Sequence, residues 1–231
     1  MDRFFLSIFI ILFAVLQHST LIYSKSADIP GDFDYYVFAY SWQPEFCYDQ
    51  NSYPGCSEPE TFWGKYFTIH GLWPQYMSGG YPETCTNEPF DPNVPNKIGM
   101  DTMTTYWPNV KANVGDSDYD SFWEHEWTKH GTCTGLSQEV YFNTTIALAQ
   151  LYGTPSQYTS DVGGQINADD LRKYMGGADK VSLQCNDGKY IVGVFSCWGK
   201  SDGYPKGQVT CANDVKAEDT CTADTLVVQS F

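Results

Sequence analysis

The sequence is poor in basic residues, and this limits the kind of partner that the protein can bind. Its 231 residues hold 13 Lys and Arg against 28 Asp and Glu, which gives a formal net charge of −15. Tight, sequence-independent binding to nucleic acid depends on many cations that neutralise phosphates. The charge therefore disfavours a nucleic-acid-binding module, whereas an enzyme that contacts one phosphate in a small positive site is compatible with it.

Long apolar runs are absent after the first residues of the chain. Arg3 precedes an apolar run over residues 4–16, and a polar stretch with small residues follows. This layout is typical of a secretory signal peptide, and the run is too short to span a bilayer. We expect residues 1–26 to be a signal peptide, cleaved near residues 24–26. A single domain over residues 27–231 would then have no membrane anchor.

Closely spaced cysteine pairs are absent as well. Eight cysteines follow the expected signal peptide, and none of them forms the Cys-x-x-Cys spacing that is typical of zinc sites. An even number of cysteines in an oxidising compartment predicts four disulfides. The residues alone do not say which cysteines pair.

Strand and helix patterns place strands at both ends of the domain and helices between them. β-Branched and aromatic residues predict strands at residues 33–42, 65–70, 181–185, 190–198 and 226–228, with a hairpin turn at 186–188. Helices are predicted at residues 122–130, 138–151 and 168–175. Ser121, with Glu124, and Asn167 are expected to cap the first and the last of these helices. This order predicts an α+β domain rather than a βαβ repeat.

The helix at residues 122–130 contains the most informative pattern. Four of its polar side chains share an arc of about 140°, namely His125, Glu126, Lys129 and His130. Trp123 and Trp127 border this arc. Two imidazoles, an ammonium and a carboxylate on one face suit an anion whose charge grows during a reaction.

Two other interpretations of this helix are possible. A solvated face with ordinary ion pairs, such as Glu126 with Lys129, is the simplest alternative. A zinc peptidase is another, because His-Glu-x-x-His is a metal signature. Here the spacing is His-Glu-x-x-x-His, which turns His125 and His130 about 140° apart on a helix instead of about 40°. Because such side chains diverge too far to chelate one zinc from a regular helix, we expect no metal.

Residues 67–74 supply a third histidine. The chain has four histidines, and all except His18 lie in these two segments. His70 is expected at the end of a strand, where Gly71 and Pro74 form a turn that presents it to a cleft. A lone histidine after an apolar strand is more often structural than catalytic. Beside the polar helix face, His70 becomes a catalytic candidate.

Both segments resemble those that form the active site in the ribonuclease T2 family. They read Phe-Thr-Ile-His-Gly-Leu-Trp-Pro at residues 67–74 and Trp-Glu-His-Glu-Trp-Thr-Lys-His-Gly-Thr-Cys at residues 123–133. The resemblance implies a single α+β domain with a central antiparallel sheet flanked by helices and stabilised by disulfides. It also implies a secreted endoribonuclease that cleaves single-stranded RNA at acidic pH. The products would be 2′,3′-cyclic phosphates, which are then hydrolysed to 3′-phosphate ends.

The resemblance also implies a role for each polar side chain. His130 would take the proton from the ribose 2′-hydroxyl, and His70 would protonate the departing 5′-oxygen. The two would exchange roles when water opens the cyclic product. His125 would hold the phosphate, while Glu126 and Lys129 would polarise the phosphoryl oxygens. Because the nucleophile is internal to RNA, we expect no cofactor, no metal and no cleavage of DNA.

Further expectations follow from the same resemblance. The implied disulfides are Cys47–Cys56, Cys85–Cys133, Cys185–Cys221 and Cys197–Cys211. Trp73 and Tyr81 would stack an RNA base, with Gln75 where the family often carries an acid, so the base preference stays open. Asn143, in Asn-Thr-Thr, is the expected glycosylation site. We expect a monomer in the medium or in the lumen of a lysosome or vacuole.

Two alternative functions belong to other classes. A secreted protein of this fold can act mainly by binding a partner, with its nuclease activity secondary or lost. Such a loss usually shows as a replaced active-site histidine, and here His70, His125 and His130 are all present. A carbohydrate-binding module is suggested by 17 tyrosines and 7 tryptophans, but many of these aromatics fall on predicted strands as core.

Overall fold

A computed structural model describes residues 28–50 and 52–231 of the chain. The expected signal peptide at residues 1–26 lies outside the described residues. No helix within the described part is long and apolar enough to cross a membrane. The same part contains no cluster of His, Cys, Asp and Glu side chains with the geometry of a metal site.

A seven-stranded sheet forms the centre of the described chain. Its strands are β1 (Tyr35–Ser41), β2 (Thr68–Gln75), β3 (Gln165–Asn167), β4 (Val181–Asn186), β5 (Tyr190–Ser201), β6 (Tyr204–Gln208) and β7 (Thr225–Val227). The order is β2-β1-β5-β7-β3, and β4 and β6 also pair with β5. All pairings are antiparallel except the short contact of β5 with β7. The predicted α+β domain with a central antiparallel sheet is therefore confirmed.

Helices cover the sheet and its edges. They are α1 (Gln43–Phe46), α2 (Pro54–Ser57), α3 (Val94–Ile98), α4 (Met100–Tyr106), α5 (Ser121–Lys129), α6 (Gln138–Tyr152), α7 (Ser156–Ser160), α8 (Ala168–Tyr174) and α9 (Asn213–Ala217). A 3-10 turn at Gly131–Cys133 follows α5. The predicted helices correspond to α5, α6 and α8. The helices that were not predicted have seven residues or fewer, which is too short for a helical period to show in the sequence.

One of the two predicted helix caps is confirmed and the other is wrong. The Asn167 side chain accepts hydrogen bonds from the first backbone N–H groups of α8. Ser121, by contrast, is the first residue of α5, Asp120 precedes it, and neither side chain caps the helix. The Ser121 hydroxyl instead lies 3.4 Å from Nδ2 of Asn109. The Asn109 amide thus engages the residue that was expected to cap the helix.

The two tryptophans of α5 point into the core, so the prediction that they border the polar face is wrong. Trp123 and Trp127 are buried. Trp123 Nε1 donates to the carbonyl of Trp107 at 2.8 Å, and Trp127 Nε1 donates to the carbonyl of Glu88 at 3.1 Å. These contacts fix the rotation of α5, which leaves His125 and Lys129 on its outer side.

The four disulfides pair as the resemblance implied. They are Cys47–Cys56, Cys85–Cys133, Cys185–Cys221 and Cys197–Cys211. The second bridge ties the segment after β2 to the residues that follow α5. Beside it, the N–H of Thr84 donates to the carbonyl of Lys129 at 2.9 Å. Both links hold the loop that follows β2 and carries Tyr81 (the Tyr81 loop) against the end of α5.

Candidate active site

His70 leaves the sheet at an irregularity in the pairing of β1 with β2. Ile69 lies opposite Tyr40 and Gly71 lies opposite Ala39, so His70 is an extra residue with no partner across the strands. Such a bulge re-aims the side chain that it carries. The His70 side chain is 46% exposed, whereas Ile69 is buried. The predicted turn at Gly71 is therefore wrong, because β2 continues to Gln75 and the bulge presents the histidine.

Gly71 is required where β2 passes α5. A Cβ atom at this position would lie 2.0 Å from Oε2 of Glu126 and 2.3 Å from Nε1 of Trp73. Without it, Trp73 Nε1 donates to Oε2 of Glu126 at 2.8 Å. This hydrogen bond joins the strand that carries His70 to the helix that carries the other polar groups.

The end of α5 delivers the second histidine. His130 is the residue after the helix, and its backbone N–H still donates to the carbonyl of Glu126 at 3.0 Å. The Glu126 side chain is 1% exposed and lies beneath the site, while His130 is 5% exposed. His125 is exposed and Lys129 is half-buried. The polar groups that were predicted on one helix face are thus divided: Glu126 and His130 form the floor of the site, and His125 and Lys129 form its rim.

One cavity of about 340 Å³ brings all the predicted site side chains together. These are His70, Trp73, Gln75, Tyr81, His125, Glu126, Lys129 and His130. Six further residues complete the lining: Val37, Gly80, Phe195, Asp214, Val215 and Glu218. Sequence reasoning missed them because they come from β1, β5, the loop after β2, and α9 with the residue that follows it, and carry no motif of their own. The two acids could not have been found without the position of α9.

Aromatic rings hold the two imidazoles in place. The Trp73 ring lies 5.3 Å from the ring of His70, edge-on, and 5.2 Å from the ring of His130, stacked at 28°. Phe122 contacts His70 from another direction, with 5.4 Å between ring centroids. The Tyr81 ring lies 6.0 Å from that of His130. Trp73 therefore contacts both histidines with one indole ring.

Burial makes the Glu126 carboxyl a weak acid. Its pKa rises to about 8 because the group is almost fully shielded from water, and the Trp73 hydrogen bond and the charge of Lys129 oppose this rise only in part. Its Oε1 lies 3.7 Å from Nε2 of His70. At acidic pH, Glu126 is therefore a neutral carboxylic acid that can donate a hydrogen bond.

Burial has the opposite effect on the histidines. It lowers the pKa of His130 to about 3, with further contributions from Lys129, His125 and His70. The pKa of His70 falls to about 4 through burial and the neighbouring positive charges, although water at its exposed edge screens part of this shift. The pKa of His125 is also lowered, by burial and by Lys129. An anion in the cavity would reverse these shifts, because it stabilises the charged imidazolium.

A second cavity of about 480 Å³ lies on the other side of His70. Its lining includes Ser41, Phe46, Asn109, Lys111 and Phe122, and it shares His70 and Phe195 with the first cavity. Ser41 Oγ lies 3.5 Å from Nδ1 of His70. None of these additional residues was predicted as part of the site. His70 thus stands at the junction of two cavities, each large enough for a planar ring.

The α+β fold places three histidines, a lysine and a buried carboxyl around one cavity, a set of groups suited to acid–base chemistry on an anion. The profile of the Ribonuclease T2 family matches residues 33–202. Ribonuclease 1 of Arabidopsis thaliana is 35% identical over 149 residues, which are 62% of this chain and 60% of that relative. Ribonuclease DdI of Dictyostelium discoideum is 31% identical over 195 residues, 78% of this chain and 79% of that relative. The chain belongs to the ribonuclease T2 family.

Solved structures share the fold as well. RNase MC1 from bitter gourd seeds, in a variant bound to 5′-GMP, is 26% identical to this chain. It superposes with a TM-score of 0.65 over 84% of this chain and 100% of its own. The chain spans less than two thirds of the length of the Arabidopsis relative.

Proposed function

We propose that the protein is an endoribonuclease that cleaves single-stranded RNA without a metal. The observation that carries this proposal is the pair of histidines that both contact Trp73 and line one cavity with Lys129. An in-line displacement at phosphorus needs a base at the attacking oxygen and an acid at the departing oxygen. Two separated imidazoles supply both, and their pKa values lie low enough for neutral rings to accept protons in acid.

The first step is a transphosphorylation within the RNA. His130 takes the proton of the 2′-hydroxyl, O2′ attacks the adjacent phosphorus, and the bond from phosphorus to O5′ breaks. His70 gives its proton to the departing O5′. In the second step the proton roles are reversed: His70 takes a proton from water, which attacks the phosphorus of the 2′,3′-cyclic phosphate. The bond from phosphorus to O2′ breaks, His130 gives its proton to O2′, and a 3′-phosphate end forms. Because the first nucleophile belongs to the substrate, DNA is not cleaved.

Three groups stabilise the charge that grows on the phosphoryl oxygens. The Lys129 ammonium contributes directly, in a cavity where Coulomb interactions are stronger than in water. Glu126 acts as a neutral acid whose hydroxyl donates a hydrogen bond, which its raised pKa allows. His125 holds the phosphate from the exposed rim of the cavity.

A bound phosphate also raises the pKa of His70, the proposed general acid. In the free protein, burial and then the positive charges of neighbouring groups lower the pKa of His70 to about 4. A phosphodiester between His70, His125 and Lys129 offsets these charges and raises the pKa of His70 again. Substrate binding and protonation of the general acid are therefore coupled, which favours turnover at acidic pH.

The two cavities suit the nucleosides on either side of the cleaved bond. Trp73 and Tyr81 offer stacking surfaces in the first cavity, and Gln75 offers both a donor and an acceptor to a base edge. The second cavity takes the leaving nucleoside, because His70 lines both cavities and His130 lines only the first. A site open on both sides of the phosphate fits internal bonds of a strand.

We further propose that the protein acts as a monomer after secretion or in an acidic lumen. Four disulfides support a route through an oxidising compartment. Asn143 lies on the exposed side of α6, where a glycan can be attached without disturbing the core.

Digestion of mixed RNA at pH 5 with EDTA, followed by mass analysis of the product ends, tests the proposed function. Cyclic phosphate ends without metal are expected, and the bases at the cuts report what Gln75 selects. His70→Phe and His130→Phe should fold while losing several orders of magnitude in rate, with Lys189→Gln as a control far from the motifs. Intact RNA from a folded, fully disulfide-bonded sample across pH 4 to 7 would refute the enzyme and favour a partner-binding role.

A further inference from the structure

Lys111 is a cation in the wall of the second cavity that the proposed chemistry does not use. It is the only lysine or arginine among the described residues that line this cavity. Its charge reaches the active site, because it contributes to the lowered pKa of His70. Lys111 therefore lies close enough to the reacting phosphate to act on the same strand.

The Lys111 ammonium contacts aromatic rings instead of a carboxylate. Its Nζ lies 5.7 Å from the ring centroid of Phe46 and 5.7 Å from that of Tyr53. The two rings stack on each other at 6.3 Å and 15°. Within the described part of the chain, no carboxylate comes within ion-pair distance of it. In a chain with 28 acidic residues, an ammonium left without a counter-ion beside the site is available to an anion.

The residues around Lys111 are held in place by hydrogen bonds and a disulfide. Its backbone N–H donates to Oδ1 of the buried Asn109 at 3.2 Å, and Nδ2 of Asn109 donates to the carbonyl of Tyr119 at 2.9 Å. On the other side, the Cys47–Cys56 disulfide closes the loop that carries Tyr53, and Phe46 directly precedes Cys47 at the end of α1. The backbone of Lys111 and the rings beside its ammonium are thus fixed, which reduces the entropy lost when the exposed side chain binds a ligand.

The position of Lys111 along the substrate follows from the two histidines, and this step rests on the proposed function. The second cavity takes the nucleoside whose O5′ departs, because His70 protonates that oxygen. The next phosphate of the strand is attached to the 3′-oxygen of the same nucleoside. We propose that Lys111 binds this second phosphate, one nucleotide beyond the cleaved bond on the 3′ side, so that strands longer than a dinucleotide are better substrates.

The test compares two substrates that differ by one group. Adenylyl-adenosine carries only the phosphate to be cleaved, and the same molecule with a 3′-phosphate carries the additional one. At low ionic strength, kcat/KM of the wild type should be about fivefold higher with the 3′-phosphate, as an exposed ion pair provides. Lys111→Gln should reduce this ratio to about one, and Lys111→Arg should retain most of it. Because the ratio is taken within each variant, an altered pKa of His70 cancels.

Lys189→Gln is the matched control, since Lys189 also lies over an aromatic ring, Tyr190 at 4.7 Å, but does not line the cavity. Its ratio should equal that of the wild type. A wild-type ratio of about one, or an unchanged ratio in Lys111→Gln, would overturn the inference. If neither substrate is cleaved, the proposed function fails. The inference is then decided by the dissociation constants of the uncleavable 2′-deoxy dinucleotide with and without its 3′-phosphate, which must differ in the wild type and agree in Lys111→Gln.

Discussion

Replacing Glu126 by glutamine should change how stability depends on pH. In the folded protein the pKa of Glu126 is raised from 4.5 to about 8 because the carboxyl is buried beneath His70 and Trp73. Below pH 4.5 the carboxyl is protonated in both the folded and the unfolded chain, so burial has no electrostatic cost. Between pH 4.5 and 8 only the unfolded chain releases the proton, and the folded state loses stability as the pH rises.

The size of this effect follows from the two pKa values. At about 1.4 kcal/mol for each pKa unit, the wild type should lose roughly 3–5 kcal/mol between pH 4.5 and 8 relative to Glu126→Gln. The amide is nearly isosteric, and its oxygen can still accept the hydrogen bond that Trp73 Nε1 donates to Oε2 at 2.8 Å. The two proteins should therefore differ little in free energy of unfolding at pH 4.5.

Urea unfolding at pH 4.5, 6, 7 and 8, followed by tryptophan fluorescence, measures this difference. Other groups that titrate in this range, including His70 and His130, cancel when the variant is compared with the wild type at each pH. Glu124→Gln, at an exposed position on the same helix, controls for the change in charge. A difference between wild type and Glu126→Gln that stays constant from pH 4.5 to 8 would refute the argument that burial keeps this carboxyl neutral.

Three further outcomes are expected. Gly71→Ala should lower the free energy of unfolding in urea by roughly 2–4 kcal/mol and lower kcat/KM, because its Cβ would meet Glu126 at 2.0 Å. Gly64→Ala should cost far less stability, because the exposed Phe231 ring that its Cβ would meet can move. Equal losses in the two variants would contradict the role given to Gly71. Inorganic phosphate should raise the pKa of His130 in NMR titrations above about 3, and an unchanged value would mean that the anion binds elsewhere. Replacing Cys85 and Cys133 together by alanine should lower stability by roughly 2–5 kcal/mol and raise KM, and a loss of stability alone would show that the bridge does not position the Tyr81 loop.

Short-range patterns predicted most of the secondary structure that matters for the site. The length and period of α6 and the cap at Asn167 are local properties of the chain, so they were predicted correctly. The bulge at His70 is different, because it exists only through the pairing of β2 with β1. The sequence at Gly71 and Pro74 is equally typical of a turn, and only the partner strand decides between the two.

Prediction of the candidate site was limited in the same way, because contacts between distant parts of the chain decide its arrangement. The spacing of His125, Glu126 and Lys129 was enough to predict a polar helix face, but a helical wheel does not say which side meets the core. Trp123 and Trp127 decide this by their hydrogen bonds to distant carbonyl groups. The cysteine pairing came with the family resemblance, since spacing alone leaves it open.

Burial raises the pKa of the Glu126 carboxyl and lowers the pKa of the imidazoles beside it, and both changes favour the same chemistry at acidic pH. Removing water from Glu126 and His130 penalises the charged form of each, so the carboxyl keeps its proton and the imidazole releases it. Glu126 then carries no negative charge that would repel a phosphate, and His130 is a free base in acid, where an exposed histidine would be protonated. His70, the proposed general acid, is the most exposed of these three groups, and the charge of a bound phosphate would raise its pKa so that it is protonated again. The unusual pKa values are therefore a consequence of burial where β2 packs against α5, and the Trp73 ring that contacts both histidines belongs to the same packing.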